Sequence, residues 1–145
     1  MPYYFGKRSK RNLATCHTDL QEILNAAIER IDFTVIDGHR DKNMQNGYFL
    51  RGVSKVKYPN SAHNSFPSLA ADCIPCPFES HYWESEAGKN KFAEIATVIL
   101  REAYNRDIKL LWGFGAWGWD LPHFQLISKN GIKYEKNIKE EANAV

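Results

Sequence analysis

Cysteine is scarce in this sequence, with three residues in 145, and an odd count leaves at least one thiol unpaired. Disulfide-stapled secreted domains carry more cysteines and carry them in pairs, so a reducing compartment is expected. Long apolar runs are missing as well: nothing approaches the roughly 20 residues that cross a bilayer, which argues against stable membrane association. The opening Met1-Pro2-Tyr3-Tyr4-Phe5-Gly6-Lys7-Arg8 has cations but no apolar stretch behind them, so no signal peptide is expected. Charge of one sign is equally lacking. Nineteen Lys and Arg stand against 17 Asp and Glu, and a net charge of +2 is too weak a field to make nucleic acid the partner. Histidine is limited to five positions, so any metal or acid–base site must draw on those few.

What is present belongs to a globular chain. Apolar residues make up 43% and aromatics 13%, enough to close one core, and 145 residues is the size of a single domain spanning 1–145. Thr18 and Gln21 form a T-x-x-Q capping box, and Leu20, Ile23, Leu24, Ala27 and Ile28 follow at helical spacing. Phe33-Thr34-Val35-Ile36 reads as a strand ending at Asp37-Gly38, and Asp41 to about Leu50 as a shorter helix. Gly52 through Ser68, with two prolines and several serines, reads as a long irregular segment, and such loops are usually functional. Leu69–Ile74 predicts a strand, and Phe92, Ile95, Ala96, Ile99, Leu100 and Ala103 predict the longest helix, over about 85–105. Ile108–Trp112 and His123–Ile127 predict two more strands joined by the Gly- and Trp-rich turn 113–119. Asn130-Gly131 marks a hairpin to a last strand at Ile132–Tyr134. Residues after about 134 read as a charged, loosely held tail. Interspersed helices and strands without a βαβ rhythm imply an α+β fold with a small, mainly antiparallel sheet.

Chemistry concentrates in three places. His63 lies in the long loop, Asp72 sits on an otherwise apolar strand, and His123 heads another strand as Asp120-Leu121-Pro122-His123. An unpaired buried carboxylate costs several kcal/mol, and a metal is one of the few partners that offsets this. Two imidazoles and one carboxylate supply three ligands and leave a fourth position for water, the donor pattern of a hydrolytic zinc site. A non-haem iron oxygenase uses the same donor types, but its ligands usually begin with a close H-x-D or H-x-E pair, a spacing that His63, Asp72 and His123 do not have.

The chain resembles the zinc peptidases that include D-alanyl-D-alanine carboxypeptidases, with a hedgehog/DD-peptidase-like fold, and in particular the bacteriophage endolysin branch that cuts L-alanyl-D-glutamate bonds. The residues carrying the resemblance are Leu13-Ala14, Asp19-Leu20, the stretch Asp32 to Arg40 with Gln45, Ser61-Ala62-His63, Ala70-Ala71-Asp72 and Asp120-Leu121-Pro122-His123-Phe124. The resemblance implies one Zn2+ per chain held by His63, Asp72 and His123, with Asp120 as general base toward the water that zinc activates. It implies that Arg40 holds a substrate carboxylate or the developing oxyanion, and that Ser61 stands beside the first ligand. Gln45 and Trp117 are further candidates for contact with substrate or with the ligands. The substrate implied is bacterial peptidoglycan, reached from the infected cell's cytoplasm through a holin-type partner, with the protein acting as a monomer. D-alanyl-D-alanine carboxypeptidase activity and a non-catalytic zinc-containing wall-binding module remain alternatives. The His63 to Asp72 spacing is two residues longer than the family's commonest version, and its Gly-Gly-Asp-Trp pattern survives only as Gly113-Phe114-Gly115-Ala116-Trp117.

Two other features carry less. Cys73-Ile74-Pro75-Cys76 has the C-x-x-C spacing of redox and ribbon motifs, but no second pair completes a ribbon and no helix opens there. His17, His39 and His81 have no assigned role.

Overall fold

The computed structural model describes residues 2–138. Its elements are α1 (Lys7–Leu13), α2 (Thr18–Ile28), β1 (Phe33–Asp37), α3 (Lys42–Leu50), β2 (Ala70–Pro75), α4 (Glu86–Asn105), β3 (Ile108–Trp112), α5 (Gly113–Trp117), β4 (His123–Lys129) and β5 (Ile132–Lys133). Single 3-10 turns stand at Ala62–Asn64 and Ser80–Trp83. The fold is α+β, built on a five-stranded sheet ordered β1-β2-β4-β3, with β5 paired to β4. All of these strand pairings are antiparallel.

Successive side chains on a strand point to opposite faces, and this alternation divides the sheet into a packing face and a chemical face. Phe33 and Val35 of β1, Ala71 and Cys73 of β2, Ile108 and Leu110 of β3, and Phe124 and Leu126 of β4 enter one apolar core. Leu20, Ile23, Leu24 and Ala27 of α2 and Ile95, Ala96, Ile99 and Ala103 of α4 cover them. The intervening residues Asp72, His123 and Gln125 line a cleft on the other face.

The capping of α2 differs from the expected box. His17, not Thr18, is the cap: its Nδ1 accepts from the Asp19 N–H at 3.0 Å, and Gln21 donates to the Cys16 carbonyl at 2.8 Å. His17 stays outside the helix with ψ 143°, its N–H bonded to the Ser68 carbonyl at 2.8 Å, so the helix starts at Thr18, one residue earlier than a Thr18 cap would place it. The Gly- and Trp-rich turn contains a five-residue helix, α5, closed by Gly118 in the left-handed region.

A helix at Lys7–Leu13 carries no apolar periodicity in the sequence and forms for a tertiary reason. Ser9 Oγ accepts the Val35 N–H at 3.0 Å and Asn12 Nδ2 donates to the Val35 carbonyl at 2.8 Å, so α1 satisfies the outer edge of β1. The chain just after β5, where a loosely held tail was expected to begin at about 134, is tied to the body. Tyr134 donates to Asp19 at 2.8 Å, and Asn137 exchanges hydrogen bonds with Ser65 and Phe66, while residues 139–145 lie outside the described residues.

Candidate metal centre

Strand register assembles the first part of the site. Asp72 lies directly across from His123 in the β2–β4 ladder. A bulge between Val35 and Asp37 sets Asp37, not Ile36, opposite Asp72 on the other side. Three polar side chains thus form a row across neighbouring strands. His63 arrives from the long loop, in the 3-10 turn that Ser61 opens: Ser61 Oγ accepts the His63 N–H, and Asn64 Oδ1 accepts the Ser61 N–H at 2.9 Å.

His63 Nε2 lies 3.2 Å and His123 Nδ1 3.4 Å from the same oxygen, Asp72 Oδ1. All three residues are buried, and one ligand atom from each falls within 4.8 Å of the others. Tautomers explain what this convergence is for. His63 Nδ1 is 2.7 Å from the Gly38 carbonyl, which can only accept, so that nitrogen carries the proton. His123 Nε2 is likewise 2.7 Å from Gln125 Oε1. Each neutral imidazole therefore turns a bare lone pair toward a carboxylate oxygen, an arrangement that needs a proton or a cation between the acceptors. Two imidazole nitrogens and one oxygen with their far sides braced match a zinc donor set.

The charges around this point are consistent with that reading. With protons in that position, burial still opposes ionisation of Asp72, but the charge His63 then carries, the hydrogen bonds both histidines then donate and the charge of Arg40 hold its carboxyl well below the ordinary value. For His123, burial opposes the charged form, and the bond to Asp72 and its charge outweigh it, so the imidazole is held above its usual value. Asp120 sits at the corner before β4 with φ 65°, a left-handed position that Asp tolerates better than most residues. Burial, reinforced by the charge of Asp72, pushes its carboxyl up despite the nearby cations.

Gly113 lets this corner close. A Cβ there would stand 2.7 Å from the Asp120 carbonyl oxygen, 2.9 Å from Asp120 Cβ and 3.2 Å from His123 Cβ. Gly38 plays the same part at the end of β1, where a Cβ would overlap Thr15 Oγ1 and the Asn12 carbonyl and displace the oxygen that orients His63.

The other residues singled out from sequence take distinct places. Arg40 is buried and lines the cleft; its Nη2 donates to Asp72 Oδ2 at 2.6 Å and its Nε to Asp37 Oδ2 at 2.8 Å. The guanidinium lies 4.6 Å from the Tyr48 ring centroid. Ser61 lines the cleft. Gln45 is fully buried behind it, donating to Ser54 and Val56 and accepting from Asn64, so it braces the loop that carries His63. Trp117 lies 5.5 Å from the His123 ring and 5.7 Å from Trp119. The cleft encloses about 1090 Å³. Cys73 is buried and Cys76 exposed, both as free thiols; His39 faces the Ser65 carbonyl and His81 pairs with Glu79 on the surface.

Asp37, Tyr48 and Gln125 were not picked out from sequence as site residues. For Asp37 the available signal was an acid three positions before Arg40, and for Gln125 its alternation with His123 on one strand.

This fold is shared with L-Ala D-Glu endopeptidases. The crystal structure of one of them, ChiX of Serratia marcescens, superposes with a TM-score of 0.67 and 30% identity over 84% of this chain and 88% of that one. The L-alanyl-D-glutamate peptidase of Escherichia phage T5 is 38% identical over 66 residues, 40% of this chain; the match spans 48% of that relative's length. The family model for phage L-alanyl-D-glutamate peptidase matches residues 1–132. The chain belongs to that family.

Proposed function

We propose that this chain is a zinc-dependent peptidoglycan endopeptidase, a phage endolysin domain that hydrolyses the L-alanyl-D-glutamate bond of the stem peptide. The observation that carries the reading is the convergence of His63 Nε2, His123 Nδ1 and Asp72 Oδ1, with both outer imidazole nitrogens braced. Family membership and the activity named for the T5 and Serratia relatives support the choice of bond.

Zinc held by these three residues would polarise the scissile carbonyl and bring a water's pKa toward about 7. Asp120 takes the proton of the attacking water and passes it to the leaving amine, a task suited to a carboxyl raised by burial. Gly38 and Gln125 keep the two imidazoles in the required tautomers. Arg40 pins Asp72 by its second oxygen, holding the other toward the histidines, and the same guanidinium edge of the cleft is positioned to meet a substrate oxyanion or carboxylate. Trp117 and Trp119 offer the peptide an apolar wall beside His123.

The chain acts as a single monomeric domain in this reading. It accumulates in the infected cell's cytoplasm and reaches the wall through a holin-type partner. Digestion of purified peptidoglycan with zinc-loaded and chelated protein, followed by identification of the new termini, tests the proposal. New D-glutamyl amino termini and L-alanyl carboxyl termini, released only with zinc, are expected. Release of terminal D-alanine would make it a carboxypeptidase instead, and zinc binding with no new termini would make it a binding module.

A further inference from the structure

Among the described residues, two cations in the cleft have no acid beside them. Of the basic side chains that line it, Arg40 serves Asp37 and Asp72, and Lys89 lies 3.7 Å from Glu86. Lys55 rests over the face of Trp119, 3.9 Å from the ring centroid. Lys136 donates to the Asn60 carbonyl at 2.9 Å. Among the described residues neither Lys55 nor Lys136 has a carboxylate partner.

Lys136 is the more closely held of the two. The segment after β5 is laced to the loop that carries His63: Phe66 N–H donates to the Asn137 carbonyl and Asn137 N–H to Ser65 Oγ, both at 2.9 Å, and Asn137 Nδ2 donates to the Phe66 carbonyl at 3.0 Å. This lacing delivers the Lys136 ammonium to Asn60, three residues before His63. The side chain is exposed at the mouth of the cleft, with one of its three donors used there and partial desolvation lowering its pKa. An ammonium so placed gains from an anion that brings both charge and acceptors.

The chemistry of the bond names the anion. A glutamyl residue joined through its nitrogen to alanine has two carboxyls, and at most one continues the chain. The other stays as a free carboxylate on the residue that supplies the leaving amine. We propose that Lys136 is a specificity-determining residue that binds this free glutamyl carboxylate. The inference rests on the peptidase reading above, and Lys136 lies beyond residues 1–132 that the family model matches.

Two stem peptides that differ only in carrying that carboxylate or its primary amide provide the test, with kcat/KM measured for the zinc-loaded enzyme. Wild type is expected to favour the acid on the order of 10-fold or more, chiefly through KM. Lys136→Gln should slow the acid peptide alone and erase the preference, and Lys136→Arg should retain it; Lys136→Met replaces Gln if that variant melts early. Equal slowing of both peptides by Lys136→Gln would mark a structural lysine and overturn the proposal. So would a wild type without preference, or a preference abolished by Lys55→Gln and untouched by Lys136→Gln. Cleavage of neither peptide at the Ala–Glu bond by wild type would instead refute the peptidase reading, and this inference with it.

Discussion

Replacing Gly113 by alanine sets two physical effects against each other. Gly113 is the first residue of α5, and by helix propensity alone alanine there should stabilise by about 0.5–1 kcal/mol. The added Cβ would, however, lie 2.7 Å from the Asp120 carbonyl oxygen, about 0.7 Å short of ordinary contact near 3.4 Å, and would press on Asp120 Cβ and His123 Cβ as well. Two of those three atoms belong to side chains, but all sit on backbone pinned by its neighbours. The Cys73 N–H holds the Pro122 carbonyl at 2.9 Å and Trp112 Nε1 holds the Leu121 carbonyl at 2.7 Å. The corner therefore has little freedom to yield, and overpacking of this kind costs about 1–3 kcal/mol, more than the propensity gain. Because the displaced residues are the proposed base and a proposed ligand, a shift of half an ångström or more should lower turnover on the order of 10²-fold. Thermal melts, zinc affinity by chelator competition and kcat/KM on a stem peptide measure the three effects. A Gly113→Ala protein as stable as wild type, with undiminished zinc affinity and turnover, would refute the claim that this close approach builds the site.

Asp120→Asn should keep its zinc and lose about 10²- to 10⁴-fold in turnover, whereas His63→Ala should lose the metal itself; metal content and rate measured on the same preparations check both. Arg40→Ala leaves the buried Asp72 and the half-buried Asp37 without their cation, and about 3–5 kcal/mol of stability should go with it. An unchanged melting temperature with lost turnover would assign Arg40 to substrate alone. The pH response should reverse with metal. In chelated protein the raised His123 stabilises fully below about 6.5 and loses that contribution as pH rises through its folded value, while the depressed Asp72 stabilises above 3.8 and loses its share as pH falls toward its folded value. The melting temperature of chelated protein should thus rise between pH 8 and pH 6, and that of zinc-loaded protein should fall as protons compete for the ligands; parallel trends in the two forms would contradict the arrangement.

Elements whose own periodicity decides their structure were legible in the sequence. The apolar stripes of α2 and α4 and the β-branched or apolar runs of β1, β2, β3 and β4 needed no tertiary information to be recognised. The proposed ligands were legible through the family resemblance, since Asp72 interrupting an apolar strand and His123 heading another are weak signals taken singly. Elements made by contact were not legible. Lys7–Leu13, rich in cations, becomes a helix because Ser9 and Asn12 find Val35, and α5 forms from a glycine-rich stretch because Gly113 can approach Asp120. The role of Asp37 depends on a one-residue bulge, and that of Lys136 on a segment tied to residues about 70 positions away, and neither leaves a local pattern.

The helix that shields β1 has a consequence for how copies of the molecule meet. A five-residue border strand with bare amides would invite a second molecule to add its own strand alongside, and serine and asparagine occupy those positions first. Two small polar side chains thereby keep a neighbour's strand from this border, and replacing both by alanine should let copies of the molecule pair edge to edge as concentration rises.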